Sequence, residues 1–354
     1  MNQSQFNSSR YPGVSSEDIV FATLYSFIVF FGVLGNGIVI TIVRKTRSMH
    51  TTTNYLLMNL AVADLLTLSF CPGFYEIALK NLRLSSTVLG DIICKLFVGN
   101  AIVCIAFDAS VLTLCVIAIE RFMGIVKPFN NNWNLTIRKA YLAIGVVWIL
   151  AVISSFPDML WTNYNTERET FTSLGYPCTR PWAVQHHSPK MKIYVVSHSL
   201  VIIVVPSIII SFCYISIFTS LKCRSGEQPP DETIKKNTRK LLTLLVTLAA
   251  AFCVLCLPFA VFFLYVSSRD QNQINDRYSS LFLAHRVVRL LIFSNSFVNP
   301  LLYAAQSTNY RDVLRKTLCC KNNTNNLGRE EVNLVPMGRR RELEREGIKL
   351  QQDV

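Results

Sequence analysis

Charge is scarce in this chain. Asp, Glu, Lys and Arg make up 16% of its 354 residues and 51% are hydrophobic, whereas soluble domains carry about 25% charged residues. That deficit excludes an ordinary soluble domain. No His/Cys spacing among the 11 cysteines suits zinc. His198 and His285 stand isolated, and no acid pair shares a helix face, so no catalytic centre is indicated and the chain reads as a non-enzyme. No internal repeat relates one half to the other, which argues against a transporter or channel built from duplicated halves. Residues 1–18 lack an apolar core, so no cleavable signal peptide is expected and the first span is its own insertion signal.

What the chain does have is apolar length. Seven blocks with few charges, 19–43, 53–79, 94–120, 139–161, 193–221, 239–267 and 280–305, predict helices spanning a hydrocarbon core of ~30 Å. The net charge of +13 would suggest nucleic acid in a soluble protein. Its distribution here sets topology instead. With the N-terminus outside, Arg44, Lys45, Arg47, Arg121, Lys127, Arg138, Lys139, the basic residues from Lys222 to Lys240 and those from Arg311 onward all face inward. The partners this predicts are membrane lipids with anionic headgroups, not nucleic acid. The organisation is thus an extracellular segment over 1–18, a helical bundle over 19–305, an amphipathic interfacial helix over 306–320 and a polar, disordered cytoplasmic tail over 321–354.

Polar residues inside the spans carry the functional signal, because a buried ionisable group is costly in lipid. Asp64 lies near the middle of the second span; Ser110, Asn295, Ser296 and Asn299 lie at similar depth. Asn36 sits between Gly35 and Gly37, a pattern that allows close helix approach with an amide as glue. Asp108 is a second buried acid whose partner the sequence does not name. Trp148 reads as core packing. Pro72, Pro206, Pro258 and Pro300 predict kinks. Cys71, Cys104, Cys115, Cys213, Cys253 and Cys256 read as small buried thiols. Cys94 and Cys178 fall on the oxidising side as disulfide candidates. Cys319 and Cys320 follow the last span as palmitoylation candidates. Asn2 and Asn7 open N-glycosylation tripeptides.

Several of these marks form a series. Phe107 to Phe129 holds an apolar face of Leu112, Cys115, Val116 and Ile119 and ends its helix in Glu120-Arg121-Phe122. Pro206 precedes Tyr214 by eight residues. Phe252 leads to Pro258-Phe259, and Asn295 to Tyr303 reads NSFVNPLLY. Over about 20–320, this series resembles the rhodopsin-like (class A) G protein-coupled receptors, and the proline placement resembles their peptide-binding branch. Four features depart from that pattern. Phe122 stands where tyrosine is commoner, and Cys256 where a tryptophan is usual. No acid at the inner end of helix six faces Arg121, which is left with Glu120 and Thr238. The Cys94–Arg121 interval is two residues longer than is usual in that family, requiring either an extra part-turn near 100–105 or a looser loop at Cys94.

The resemblance implies an all-α membrane protein, a seven-transmembrane helix bundle with a short amphipathic eighth helix. It implies that Glu120, Arg121, Phe122, Tyr214, Phe252, Pro258, Asn299, Pro300 and Tyr303 form the G protein coupling switch. It also implies a sodium ion at Asp64, Ser110, Asn295, Ser296 and Asn299, with no other cofactor. Val103 stands where amine receptors hold an acid, and Phe293 where photoreceptors hold the retinal lysine, so neither ligand is expected. Candidate ligand residues are Glu76, Val103, Phe107, His198, Phe259 and Arg289. Arg289 is either a peptide anchor or half of an ion pair with Glu76, and His198 either a ligand contact or a satisfied interior histidine. Expected partners are an extracellular neuropeptide-like ligand, a heterotrimeric G protein and arrestin at the plasma membrane. The alternative ligand is a lipid or another small non-amine molecule.

Overall fold

Ser15 opens the first helix through a capping box. Its hydroxyl accepts from the Asp18 N–H at 3.2 Å, and its own N–H donates to the Asp18 carboxylate at 3.0 Å. Helix α1 (Ser16–Lys45) therefore starts ahead of its apolar block. The same logic starts α2 (Thr52–Ser69) at Thr51 and, further on, the helices Ile137–Trp161 at Thr136 and Pro189–His198 at Ser188, each with a side-chain oxygen accepting from the first turn. The computed structural model describes residues 15–71, 73–74, 87–98, 101–126, 135–164, 178, 182, 188–223, 232–306 and 310–311, without side chains over 222–241. Within these residues lie also α3 (Thr87–Ile93), α4 (Ala101–Val126), α5 (Ile137–Trp161), α6 (Pro189–His198), α7 (Val205–Cys223), α8 (Glu232–Ser267), α9 (Gln271–Asp276) and α10 (Tyr278–Gln306).

Six helical stretches among the described residues are long and apolar enough to cross a membrane: Ser16–Lys45, Val88–Val126, Ile137–Trp161, Pro189–Leu221, Leu242–Ser267 and Tyr278–Gln306. Helix α2 is the shorter described part of the predicted 53–79 block. Pro72, Glu76 and the rest of that block's outer end lie outside the described residues, as do Asn2, Asn7, Cys319, Cys320 and the tail over 321–354. Of the predicted 306–320 helix, only Gln306, Tyr310 and Arg311 are described.

Burial is inverted relative to a soluble protein. Leu142, Ile149, Ile153, Phe212, Phe218 and Val254 are 61–70% exposed, whereas Asn36, Asp64, Asp108, Asp158, Asn295 and Asn299 are at most 1% exposed. Apolar side chains outward and polar ones inward is the arrangement that lipid demands. Helix α4 is the hub, packed against α2, α5 and α7, while α1 packs on α2 and α10, and α10 on α8. Gly35 lets α1 approach α10: a Cβ there would lie 2.8 Å from the Pro300 ring. Asn36 uses that closeness to donate to the Ser296 carbonyl at 2.9 Å.

A wide turn corrects the expected helix three. Cys94 is not its outer start. The helix begins at Thr87, and Cys94–Val98 forms a π-helical turn after α3. Among the described residues this wide turn lies at Cys94 itself, outward of 100–105. A second π-helical stretch, Ser199–Val204, joins α6 to α7. Wide turns of this kind rotate the residues on either side relative to one another, and they are frequent at functional sites.

Candidate functional site

Two buried polar clusters thread the bundle. In the inner one, Asp64 on α2 receives three donors. Its Oδ1 accepts from Ser110 Oγ and Ser296 Oγ, both at 2.9 Å, and its Oδ2 from Asn299 Nδ2 at 2.6 Å. One carboxylate thus ties α2 to α4 and α10. Both amide atoms of Asn295 and the Oδ1 of Asn299 are buried without a partner. A carboxylate, two hydroxyls and orphaned amide oxygens form a hard, all-oxygen donor set, which fits the sodium ion the sequence suggested.

The outer cluster was not assembled by the sequence. Asp108 Oδ2 lies 3.0 Å from His198 Nε2 and accepts from Ser154 Oγ at 2.5 Å and Ser155 Oγ at 2.8 Å. His198 is therefore paired, not isolated, and it is the partner that Asp108 lacked on paper. One turn outward of Ser154, Asp158 accepts from Tyr194 Oη and Trp182 Nε1, both at 2.7 Å. Trp182 comes from the outer loop and is 5% exposed. Its ring meets His198, Phe259 and Phe263 with centroids 5.1–5.5 Å apart. The loop is also held by the Cys94–Cys178 disulfide and by a backbone bridge between Cys178 and Tyr164.

Beneath Trp182 lies a partly open pocket. Val103, Phe107, His198, Phe259 and Arg289 all line it, five of the six positions singled out as ligand candidates. The sixth, Glu76, is outside the described residues. Asp108, Trp182, Cys104, Thr67 and His285 join the lining with Ile203, Ile292 and Phe293. At its rim Arg286 is engaged, donating to Asp18 at 3.0 Å and covering the Phe21 ring. Arg289 Nε lies 3.5 Å from the Tyr25 hydroxyl.

At the inner end, Arg121 pairs with its neighbour Glu120 through both Nε and Nη2, and Thr53 Oγ1 lies 3.5 Å from the same carboxylate. Thr238 lies in the segment whose side chains are not described. Phe122 approaches Phe212, with ring centroids 6.0 Å apart. Phe252 and Cys256 are fully buried on α8, with Pro258 half-buried beyond them. Tyr214 and Tyr303 are buried, and the Tyr303 hydroxyl has no partner. Burial pushes the Tyr310 phenol, just past α10, up to about 12, so it stays neutral beside the Tyr303 ring.

Residues 35–303 match the family model described as 7 transmembrane receptor (rhodopsin family). The chain belongs to this family. Its members are receptors, not enzymes. The receptor is 28% identical over 310 residues to the tachykinin-like peptides receptor 86C of Drosophila melanogaster, an alignment covering 85% of this chain and 59% of that one. It is 29% identical over 303 residues to neuropeptide Y receptor type 2 of Homo sapiens and of Sus scrofa, covering 86% of this chain and 77% of each relative.

Sequence reasoning missed two polar contacts, one in the outer site and one inward of Asp64. Trp182 sits in a loop with no periodicity, so nothing local announced its insertion. Trp148, read as packing, also donates to Asn59 Oδ1 at 3.0 Å, and Asn59 donates to Thr113 at 2.8 Å. An indole on a helix beside an intramembrane amide two spans earlier was the available signal.

Proposed function

We propose that this receptor sits in the plasma membrane as a seven-transmembrane bundle, N-terminus outside, binds an extracellular peptide and promotes nucleotide exchange on a heterotrimeric G protein. The observation that carries the reading is the roofed cavity. Five ligand candidates from four helices converge on it, and relatives named for tachykinin-like peptides and neuropeptide Y match most of the chain. In this reading α2 continues to about residue 79 as the seventh span, and residues 306–320 form an eighth helix on anionic lipid. The tail over 321–354 is the surface open to arrestin. Cys319 and Cys320 carry palmitate, and Asn2 and Asn7 carry glycans.

The end of a peptide fills the cavity and bears on Trp182, Phe259 and Phe107. Phe259 follows Pro258, so pressure there acts at the kink of α8, and Phe252, not a tryptophan, carries the movement inward. The resting pair Glu120–Arg121 opens as the inner end of α8 swings out. Arg121 is then released toward Tyr214 and Tyr303, and the G protein docks in the groove. A ligand shifts such an equilibrium only by its preference for one packing. Asp64, Ser110, Asn295, Ser296 and Asn299 would hold a sodium ion, whose charge offsets that of the buried carboxylate. The test is a peptide-library screen of purified receptor with a nucleotide-exchange readout, followed by Arg121→Ala. Loss of stimulated exchange at unchanged surface expression is expected. Retained exchange would remove Arg121 from the switch, and activation by lipids alone would replace the peptide.

A further inference from the structure

The roofed cavity is polarised. On one wall, Asp108 from α4 and His198 from α6 stand together. On another, α10 contributes Arg289. The acidic wall is only half satisfied. Asp108 is 0% exposed, and all three of its close donors, His198, Ser154 and Ser155, converge on Oδ2. Among the described residues its Oδ1 has no partner, and neither does Nδ1 of His198, the ring nitrogen turned away from the carboxylate. A buried carboxylate oxygen left without a donor is costly, and both of these side chains line the same cavity. The surrounding rings add a second preference. Phe107, Trp182, Phe259 and Phe293 also line this space, and aromatic faces attract cations within about 6 Å of the ring centre.

We infer that Asp108 and His198 form a subsite for a cationic group with several N–H donors, a guanidinium or an ammonium, at the end of the ligand. The inference rests on the peptide-receptor reading and gives that ligand its chemistry. The group donates to Asp108 Oδ1, with its flat face against the aromatic collar. Arg289 on the other wall orients the ligand, taking a carbonyl or carboxylate at the opposite end. A guanidinium satisfies two acceptors at fixed spacing, whereas an ammonium acts as a point charge.

The experiment uses full-length receptor in nanodiscs and a library of amidated tetrapeptides. Each active member is made with arginine, lysine or the uncharged isostere citrulline, and with its N-terminus free or acetylated. Binding is read from ligand-induced thermal shift and potency from nucleotide exchange. Arginine members are expected to bind roughly tenfold or more tightly than their citrulline counterparts on wild-type receptor, the range for a hydrogen bond to a charged group. That ratio should fall to about one in Asp108→Asn. If acetylation, not citrulline, abolishes binding, the peptide's own amino terminus supplies the cation and the subsite stands. Ser154→Ala removes one donor from the carboxylate but keeps its charge, and should retain the arginine preference. Should Asp108→Asn fail to reach the membrane, Val103→Lys tests the subsite by placing a competing cation in the lining, and should selectively weaken the cationic peptides. Peptides that activate the receptor while indifferent to arginine, citrulline and acetylation would overturn the subsite and leave the peptide reading intact. A library with no active member would overturn both.

Discussion

Replacing Asp64 by asparagine and by alanine separates the hydrogen-bonding role of this carboxylate from its charge. Oδ1 takes the hydroxyls of Ser110 and Ser296, and Oδ2 takes the amide of Asn299. Asparagine keeps the acceptor used by both serines. Its new NH2 meets the NH2 of Asn299, but a half-turn of the Asn299 amide presents its Oδ1, which has no other partner, and the bond re-forms. Interhelical hydrogen bonds in membranes average ~0.6 kcal/mol and reach ~1.7. Without sodium, Asp64→Asn should therefore cost less than about 1 kcal/mol, one such bond at most. Alanine orphans all three donors and leaves a void, for a combined cost of about 2–4 kcal/mol. The assay is thermal denaturation of solubilised receptor in choline chloride, then in sodium chloride. In choline, the asparagine variant should melt within a few degrees of wild type and the alanine variant well below it. In sodium, wild type should rise relative to both, because neither neutral side chain offsets a cation. Equal destabilisation by both variants in choline would refute the claim that acceptor geometry, not charge, holds this seam. A wild-type midpoint indifferent to sodium would remove the ion.

Three further outcomes follow from the same coordinates. Trp182→Phe keeps the ring contacts but deletes the indole N–H that Asp158 accepts, so ligand potency should fall severalfold while surface expression holds; unchanged potency would remove Trp182 from the site. Gly35→Ala drives a methyl group against the rigid Pro300 ring and should cost about 1–3 kcal/mol by thermal melting. Gly37→Ala, which meets nothing within 4 Å, should be silent, and equal effects would undo the packing argument. Cys178→Ser opens the Cys94–Cys178 ring, whose ends are 84 residues apart in sequence. The expected loss is about 2–4 kcal/mol, and a melting curve unchanged by the variant would show that the loop's other ties suffice.

The local signals and the contacts between helices divided the information in this chain. Apolar length, inner-face lysines and arginines, and the run Asn295 to Tyr303 were legible because lipid makes each helix satisfy its own backbone. That requirement acts within one segment and leaves its mark there. Asp64 was legible for a related reason: a carboxylate at such depth needs partners, and Ser110, Ser296 and Asn299 had matching depths. The pairing of Asp108 with His198, 90 residues away, was not legible. It depends on how far each helix is rotated, and the π-helical turns at Cys94–Val98 and Ser199–Val204 reset that rotation with no mark in hydropathy. Trp182 was decided further still from the local sequence. A loop ring enters a bundle only where Asp158, Phe259 and Phe263 leave a space of its shape, and that space exists only once the helices have packed.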